Sequence, residues 1–206
     1  MKTLLIVDLQ NDFVEGGALP VTGGRAIVPK INELIPHFDV VVASLDYHPE
    51  GHISFASTHG KNVGESVEKD GVVQLLWPDH CVTGSFGSEL VEELDSEHID
   101  KFILKGTDVN VDSYSAFFNN DGSSGTGLSE YLKEIGTTEL YVCALAADYC
   151  VLFSVLDAIS EGFNVSLIED VTPAINVHPN DREEAIEKMR EAGAHIITSE
   201  EVLAWK

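Results

Sequence analysis

The sequence predicts a single-domain, three-layer α/β/α protein in which a doubly wound, mainly parallel sheet of about six strands lies between helices. Short runs rich in Val, Ile and Leu alternate with segments whose apolar residues recur at helical spacing. Several of these runs also stop at a charged or nucleophilic residue that a strand does not need. At 206 residues the chain, taken from residue 1 to residue 206, fits one domain with a substantial core.

The predicted strands are short apolar runs bounded by polar or glycine-containing segments. In chain order they are Thr3–Val7, Val40–Leu45, Lys101–Leu104, Leu140–Ala144, Val165–Ile168 and His195–Thr198. The predicted helices lie between them and carry apolar residues at helical spacing. They are Gly24–Ile35, Ser88–Leu94, Leu128–Ile135, Cys150–Glu161 and Asp181–Ala192.

The stretch from about Pro49 to Gly87 is too long for an ordinary connection. It holds His52, His59 and His80 together with Trp77. Long loops in a compact domain are usually functional or disordered, and this composition favours a lid or binding loop.

Composition excludes several classes of function. Twelve basic against thirty-five acidic residues give a net charge of −23, a field that repels nucleic acid and anionic lipid. No apolar run approaches the roughly 20 residues that a membrane span needs. The three cysteines, an odd number without zinc-type spacing, argue against a disulfide framework and favour a reducing cytoplasm.

Four reactive residues stand at or just beyond predicted strand ends: Asp8, Asp46, Lys105 and Cys150. In an open parallel sheet the ligand crevice lies outside the carboxyl ends of the strands, so we expect these residues to share one rim. Cys150 begins a predicted helix, whose N-terminus favours thiolate over thiol and marks it as a candidate nucleophile. Asp8 can then take the thiol proton, while Lys105 keeps that acid ionised.

Each of these residues also has a purely structural interpretation. Cys150 can be a small buried hydrophobe, Asp8 a turn or capping residue and Lys105 an exposed strand end. Their joint occurrence favours a triad of Asp8, Lys105 and Cys150.

A metal site is indicated by Asp46 and His48, whose side chains emerge on the same side of an extended chain. We take His80 as the third ligand, because one carboxylate and two imidazoles leave coordination positions open. On composition alone His37, His52 and His59 also compete as ligands.

Aromatic residues near the same rim can bind a planar ring. Phe13 and Trp77 lie on flanking loops and can clamp a ring by stacking, and Tyr114 can form a further wall. Core packing is the alternative role for Phe13.

Six blocks in this order resemble the nicotinamidase branch of the isochorismatase-like cysteine hydrolases. They are VDLQNDF at 7–13, DYHPEGHISF at 46–55, WPDHCVTGSFG at 77–87, LKGTD at 104–108, YSAF at 114–117 and ALAADYCV at 144–151. The resemblance implies an isochorismatase-like fold with a metal and substrate loop at about 46–87. It further implies hydrolysis of nicotinamide to nicotinate and ammonia in NAD salvage, with pyrazinamide as a second substrate.

The resemblance also assigns roles to residues. It implies an Asp8, Lys105 and Cys150 triad, and an oxyanion hole from the N–H groups of Ala146 and Cys150. A cis peptide between Leu145 and Ala146 is expected, with Leu145 beside the substrate.

By the same resemblance, one divalent metal ion at Asp46, His48 and His80 binds the pyridine nitrogen. Zinc is the first expectation, with manganese or iron as alternatives. The expected partners are this small-molecule substrate and, at most, further copies of the same chain.

Two other functions stay open at this level. Another cysteine amidase of this fold can act on a carbamoyl or ureido compound, or an isochorismatase on an enol ether. Those relatives generally lack the Asp-x-His…His set. A non-catalytic binding domain can keep the fold without the chemistry, since fold does not fix function.

Overall fold

The central sheet is six-stranded and parallel, in the strand order β5-β2-β1-β6-β7-β8. It is seen in a computed structural model that describes residues 1–205. The strands are β1 Lys2–Val7, β2 Val40–Asp46, β5 Lys101–Lys105, β6 Glu139–Ala144, β7 Asn164–Ile168 and β8 His195–Ile197. All six predicted strands are therefore confirmed, with ends that differ by a residue or so.

The helices cover both faces of the sheet. They are α1 Val28–Leu34, α2 Ala56–His59, α3 Leu128–Glu134, α4 Cys150–Ser160, α5 Asp181–Ala192 and α6 Ser199–Leu203. One core packs α1 and α6 against residues such as Leu4 and Ile6 of β1. The other packs α3, α4 and α5 against Leu5 and Val7 of the same strand. Alternate residues of β1 thus enter opposite cores, which gives the predicted three layers.

The predicted helix Ser88–Leu94 is wrong. The chain forms a short 3-10 turn at Phe86–Ser88 and then runs extended beside the segment that follows β1. There Asn11 N donates to Glu89 O at 3.0 Å and Val91 N donates to Leu9 O at 3.1 Å. These backbone bonds satisfy the segment without a helix, while its apolar residues at helical spacing enter the core individually.

The long segment after β2 is also more ordered than a loop. It contains α2 and a separate two-stranded antiparallel hairpin, β3 Ser66–Lys69 and β4 Val72–Leu75. Asp70 and Gly71 join the two strands with positive φ angles of 52° and 84°. A turn with two positive φ values matches the right-handed twist of a hairpin.

The strand order of the sheet indicates where a ligand site is expected. β1 and β6 are central neighbours, and the chain leaves them toward opposite halves of the sheet. Ligands of doubly wound sheets bind where the strand order reverses, outside the carboxyl ends.

Within residues 1–205, no helix has both the length and the apolar character needed to cross a bilayer.

Candidate active site

Three side chains, each from a segment that ends or follows another strand of the sheet, meet around the ammonium of Lys105. The β2–β5 register places Asp46 directly opposite Lys105. Lys105 Nζ lies 2.6 Å from Asp46 Oδ1, 2.9 Å from Asp8 Oδ2 and 3.4 Å from Cys150 Sγ. The expectation that these residues share one rim is thus matched by the structure.

Lys105 is buried, with only 1% of its surface exposed. Burial alone lowers the pKa of the ammonium, but the carboxylates of Asp46 and Asp8 outweigh it and raise the pKa well above the usual range. Nζ also donates to the backbone O of Ser113 at 2.9 Å. Lys105 is therefore a fixed, charged group rather than the exposed strand end considered above.

Asp8 is fully buried at the point where β1 turns out of the sheet. Its φ is 48°, and its Oδ1 accepts a hydrogen bond from Ser44 Oγ at 2.7 Å. Its Oδ2 accepts no well-aligned hydrogen bond from any residue in 1–205, although Lys105 Nζ is near. Burial raises the pKa of Asp8, and Lys105 opposes this shift. The free oxygen can accept a proton.

Cys150 is the first residue of α4 and lies within 4.8 Å of the Asp8 carboxylate. Burial raises the pKa of its thiol well above the ordinary value, and Asp8 and Asp46 raise it further against the pull of Lys105. These effects oppose the thiolate that was expected from the helix N-terminus. A base beside the sulfur would therefore assist its attack.

Two backbone N–H groups lie unpaired beside this sulfur. The peptide between Leu145 and Ala146 is cis, as the resemblance implied. Tyr149 N and Val151 N both donate to Ala146 O at 3.1 Å, whereas Ala146 N and Cys150 N donate to no acceptor within the described chain. Free donors of this kind can hold a developing oxyanion.

Leu145 itself does not reach this site with its side chain. It is 1% exposed, packs in the α1-side core and is absent from the lining of the cavity described below. Its expected place beside the substrate stays a prediction.

The three expected metal ligands converge on a common point. Asp46 Oδ2 lies 3.4 Å from His48 Nε2 and 3.7 Å from His80 Nε2. Ligand atoms about 2.1 Å from one tetrahedral metal ion stand about 3.4 Å apart, so the spacing fits a divalent ion. One carboxylate and two imidazoles form the donor set.

Backbone carbonyls orient both imidazoles. His48 Nδ1 donates to Gly106 O at 2.8 Å, and His80 Nδ1 donates to Pro78 O at 2.7 Å. Each ring therefore carries its proton on Nδ1 and presents the lone pair of Nε2 to the site, the usual arrangement around a bound metal.

His52 is a buried neighbour of this site. Its ring stacks on His48 at 4.1 Å, and its Nδ1 lies 2.7 Å from Ser54 Oγ. Burial and the neighbouring His48 lower its pKa to about 4, so the ring is neutral. His52 and Asp112 can form a second ligand group with His48, whereas His59 bonds to the backbone O of Ile53.

A small cavity of about 20 Å³ lies beside Cys150 and Asp46. Phe13, Trp77 and Tyr114 all line it, as expected. Trp77 Nε1 donates to the hydroxyl of Tyr114 at 3.1 Å, which fixes two of these aromatic walls relative to each other. A planar ring that enters this cavity would therefore lie against aromatic side chains.

Several residues of the site escaped the sequence reasoning. Tyr149, Ile175 and Asp112 also line the cavity. Gln10 holds the backbone of Asp46, a contact discussed below. The Asp-x-Gln spacing after β1 was a usable signal for Gln10, because a buried amide near a strand end needs backbone partners.

Fold and site define a doubly wound α/β hydrolase with a thiol, an acid and an ammonium at its sheet rim. The family model for the isochorismatase domain matches residues 2–201. Over 201 residues the chain is 43% identical to the nicotinamidase of Escherichia coli (strain K12), covering 96% of this chain and 94% of that protein. It is 32% identical over 204 residues to the nicotinamidase/pyrazinamidase of Mycobacterium tuberculosis, covering 97% and 100%.

Solved structures agree. An Acinetobacter baumanii nicotinamidase and pyrazinamidase superposes with a TM-score of 0.94 at 40% identity, covering 98% of this chain and 97% of that one. PnC1 from L. infantum in complex with nicotinate gives 0.85 at 37%, covering 97% and 93%. The pyrazinamidase of Pyrococcus horikoshii in complex with zinc gives 0.78 at 37%, covering 96% and 98%. This chain belongs to the isochorismatase family.

Proposed function

We propose that the protein is a nicotinamidase, an amidohydrolase that converts nicotinamide to nicotinate and ammonia. The observation that carries this is the contact of Lys105 with Asp8, Asp46 and Cys150 beside a small cavity lined by aromatic side chains. The relatives named nicotinamidase or pyrazinamidase support it, and we expect pyrazinamide to be a second substrate.

In the first half-reaction Cys150 Sγ attacks the carboxamide carbon while its proton passes to Asp8. A C–S bond forms and the carbonyl electron pair moves to oxygen, where the N–H groups of Ala146 and Cys150 stabilise it. The C–N bond then breaks as Asp8 returns the proton to the nitrogen, which leaves as ammonia. Lys105 compensates the negative charge of Asp8 throughout.

The second half-reaction hydrolyses the resulting thioester. Water attacks the acyl carbon and gives one proton to Asp8, the C–S bond breaks, and the same proton restores the thiol. The acid product carries the oxygen of that water, and its remaining proton is lost to solvent as it leaves as nicotinate. Two lower barriers thus replace the single barrier of direct amide hydrolysis.

We propose that Asp46, His48 and His80 hold one divalent ion, with zinc first and manganese or iron as alternatives. The zinc complex of the Pyrococcus horikoshii relative supports this choice. These residues would thereby supply the site with a Lewis acid, to which the ring nitrogen could bind so that the ring is oriented. Phe13, Trp77 and Tyr114 enclose that ring and exclude water from it.

The setting we propose is cytoplasmic NAD salvage in a single-domain enzyme that can associate with its own copies. Three free cysteines among the described residues support a reducing compartment. The charge of −23 argues against nucleic acid and anionic membranes as partners.

The direct test measures ammonia release from nicotinamide by the purified protein, by the variant Cys150→Ala, and by protein stripped of metal and then resupplied. We expect release that needs both Cys150 and metal. Cys143→Ala is the matched control, because Cys143 is buried in the core that packs against α1 and its thiol should not be needed. Release by Cys150→Ala would contradict the proposal. Inactivity toward nicotinamide, with turnover of a carbamoyl or ureido compound, would contradict it in favour of a related amidase.

A further inference from the structure

Gln10 is a fully buried amide whose hydrogen bonds all go to backbone groups near the metal ligands. Its Oε1 accepts from Asp46 N at 2.8 Å. Its Nε2 donates to Asp46 O at 2.7 Å and to Ser88 O at 2.9 Å. One side chain thus binds both the N–H and the C=O of the same residue.

The need for this contact follows from the sheet. The pairing of β1 with β2 ends at Val7 and Ser44, whereas β2 continues to Asp46, which pairs with Lys105 of β5. β1 turns out of the sheet at Asp8 with a φ of 48°. Asp46 therefore has a strand neighbour on the β5 side and none on the β1 side.

The Gln10 carboxamide occupies the place of the missing strand. A primary amide carries the same acceptor and donor as a backbone peptide, so it can continue the ladder by one step. Buried peptide groups without partners are costly, and here the Gln10 side chain satisfies both groups of Asp46 that face β1.

We propose that Gln10 is a positioning residue that holds Asp46 in the geometry needed for metal binding. This inference rests on the proposed function, because it takes Asp46 as a metal ligand. The two oxygens of Asp46 have different tasks, since Oδ1 accepts from Lys105 while Oδ2 faces His48 and His80. A small rotation of the Asp46 backbone would strengthen the contact of one oxygen and weaken the contact of the other.

The third hydrogen bond of the Gln10 side chain connects it to Ser88. Ser88 is 2% exposed and lies in the segment that follows His80. Gln10 therefore links the end of β2 to the segment that follows His80, another proposed ligand. Partners that orient metal ligands in this way are typically worth about 10- to 100-fold in metal affinity.

The experiment compares zinc affinity, measured by competition with a chromophoric chelator, in Gln10→Met, Gln10→Glu and the unmodified protein. Gln10→Met removes all three hydrogen bonds of the Gln10 side chain. Gln10→Glu keeps the acceptor for Asp46 N but faces two carbonyls with a carboxylate, in a side chain of nearly the same shape. We expect both variants to bind zinc about 10- to 100-fold more weakly.

Asn32→Leu is the matched control. Asn32 makes the same kind of clasp far from the site, with Oδ1 accepting from Asp95 N at 2.9 Å and Nδ2 donating to Glu93 O at 2.8 Å. Its loss should leave zinc affinity unchanged. With nicotinamide, the Gln10 variants should show a raised KM at limiting zinc that saturating zinc restores, whereas a general loss of structure would not respond to zinc in this way.

Wild-type zinc affinity in both Gln10 variants, or an equal loss in Asn32→Leu, would overturn the positioning role. If the unmodified protein binds zinc and releases ammonia while the Gln10 variants match it, this inference alone fails. If the unmodified protein does neither, the proposed function fails first.

Discussion

At the scale of single residues, the charge balance at Lys105 governs the site. Its ammonium lies between the carboxylates of Asp8 and Asp46 in a region closed to water. Two such carboxylates repel each other strongly without a cation, and removing one partner of a buried ion pair leaves the others uncompensated. Lys105 thus stabilises the fold and keeps Asp8 available as a base.

Lys105→Met should lower the free energy of unfolding by about 3 kcal/mol, because it leaves buried carboxylates without their cation. Lys101→Met on the same strand is the control, since Lys101 is exposed and should change stability by less than about 0.5 kcal/mol. Urea denaturation of both variants measures the difference. If the two variants had equal free energies of unfolding, the Lys105 ion pairs would make no net contribution to the stability of the fold.

The raised pKa of Cys150 predicts a pH dependence of its reactivity. Only the thiolate reacts with iodoacetamide, so the labelling rate rises with pH until the thiol is ionised. Because burial and two carboxylates hold the pKa well above 9.0, the rate should still be rising at pH 9. Cys150 should nevertheless react before Cys81 and Cys143, which are fully buried.

Peptide mass spectrometry after timed labelling at a series of pH values follows each cysteine separately. A plateau for Cys150 below pH 9 would mean that Lys105 and the helix terminus prevail over burial. Equal, slow labelling of all three would place the Cys150 thiol out of reach of the cavity.

At the scale of elements, the turn after β5 sets the position of His48, which we propose as a metal ligand. Gly106 has a φ of 62°, and a Cβ built on it would overlap the ring of His48. Gly122 has a similar φ of 68° but open space around it. Both glycines permit a left-handed backbone, and only Gly106 also permits close approach of the imidazole.

The pair Gly106→Ala and Gly122→Ala separates these two roles. Each should cost about 1 kcal/mol for the left-handed backbone. Gly106→Ala should in addition weaken zinc binding, because the ring of His48 must move. Thermal unfolding and chelator competition measure the two effects. Unchanged zinc affinity in Gly106→Ala would show that the His48 ring is not held by this contact.

The strands and the residues at their ends could be predicted from sequence because both signals are local. Apolar runs identify the strands, and parallel pairing brings Asp46 and Lys105 to the same edge. The thiol pKa could not be predicted, since it depends on burial and on carboxylates from two other strands. The role of Gln10 likewise depends on where β1 leaves the sheet.

The errors among the elements also have physical causes. Residues 88–94 have helical periodicity, but backbone bonds to the segment after β1 hold residues 89–91 extended, and a turn follows in which Leu94 N donates to Val91 O. Tertiary pairing overrides local spacing there. The β3–β4 hairpin did carry a local signal, the dipeptide Asp70-Gly71 between valine-containing runs, which is typical of a two-residue hairpin turn.

At the scale of the whole molecule, the reversal of strand order between β1 and β6 assembles the site. Asp8 and Cys150 leave these two central strands, and the β2 and β5 ends supply Asp46 and Lys105 on one side. The overall charge of −23 does not repel an uncharged amide substrate, whereas it does repel an anionic carboxylate product. Both features suit an enzyme that binds nicotinamide and releases nicotinate.

The most direct measurement of the central claim is acid quenching of the enzyme during turnover of nicotinamide, followed by peptide mass spectrometry. The account predicts a nicotinoyl group on the peptide that contains Cys150, removed by hydroxylamine as a thioester would be and absent from Cys150→Ser carrying the same metal. Ammonia release by wild type with no trapped acyl group on Cys150, together with full turnover by Cys150→Ser, would contradict a cysteine nucleophile.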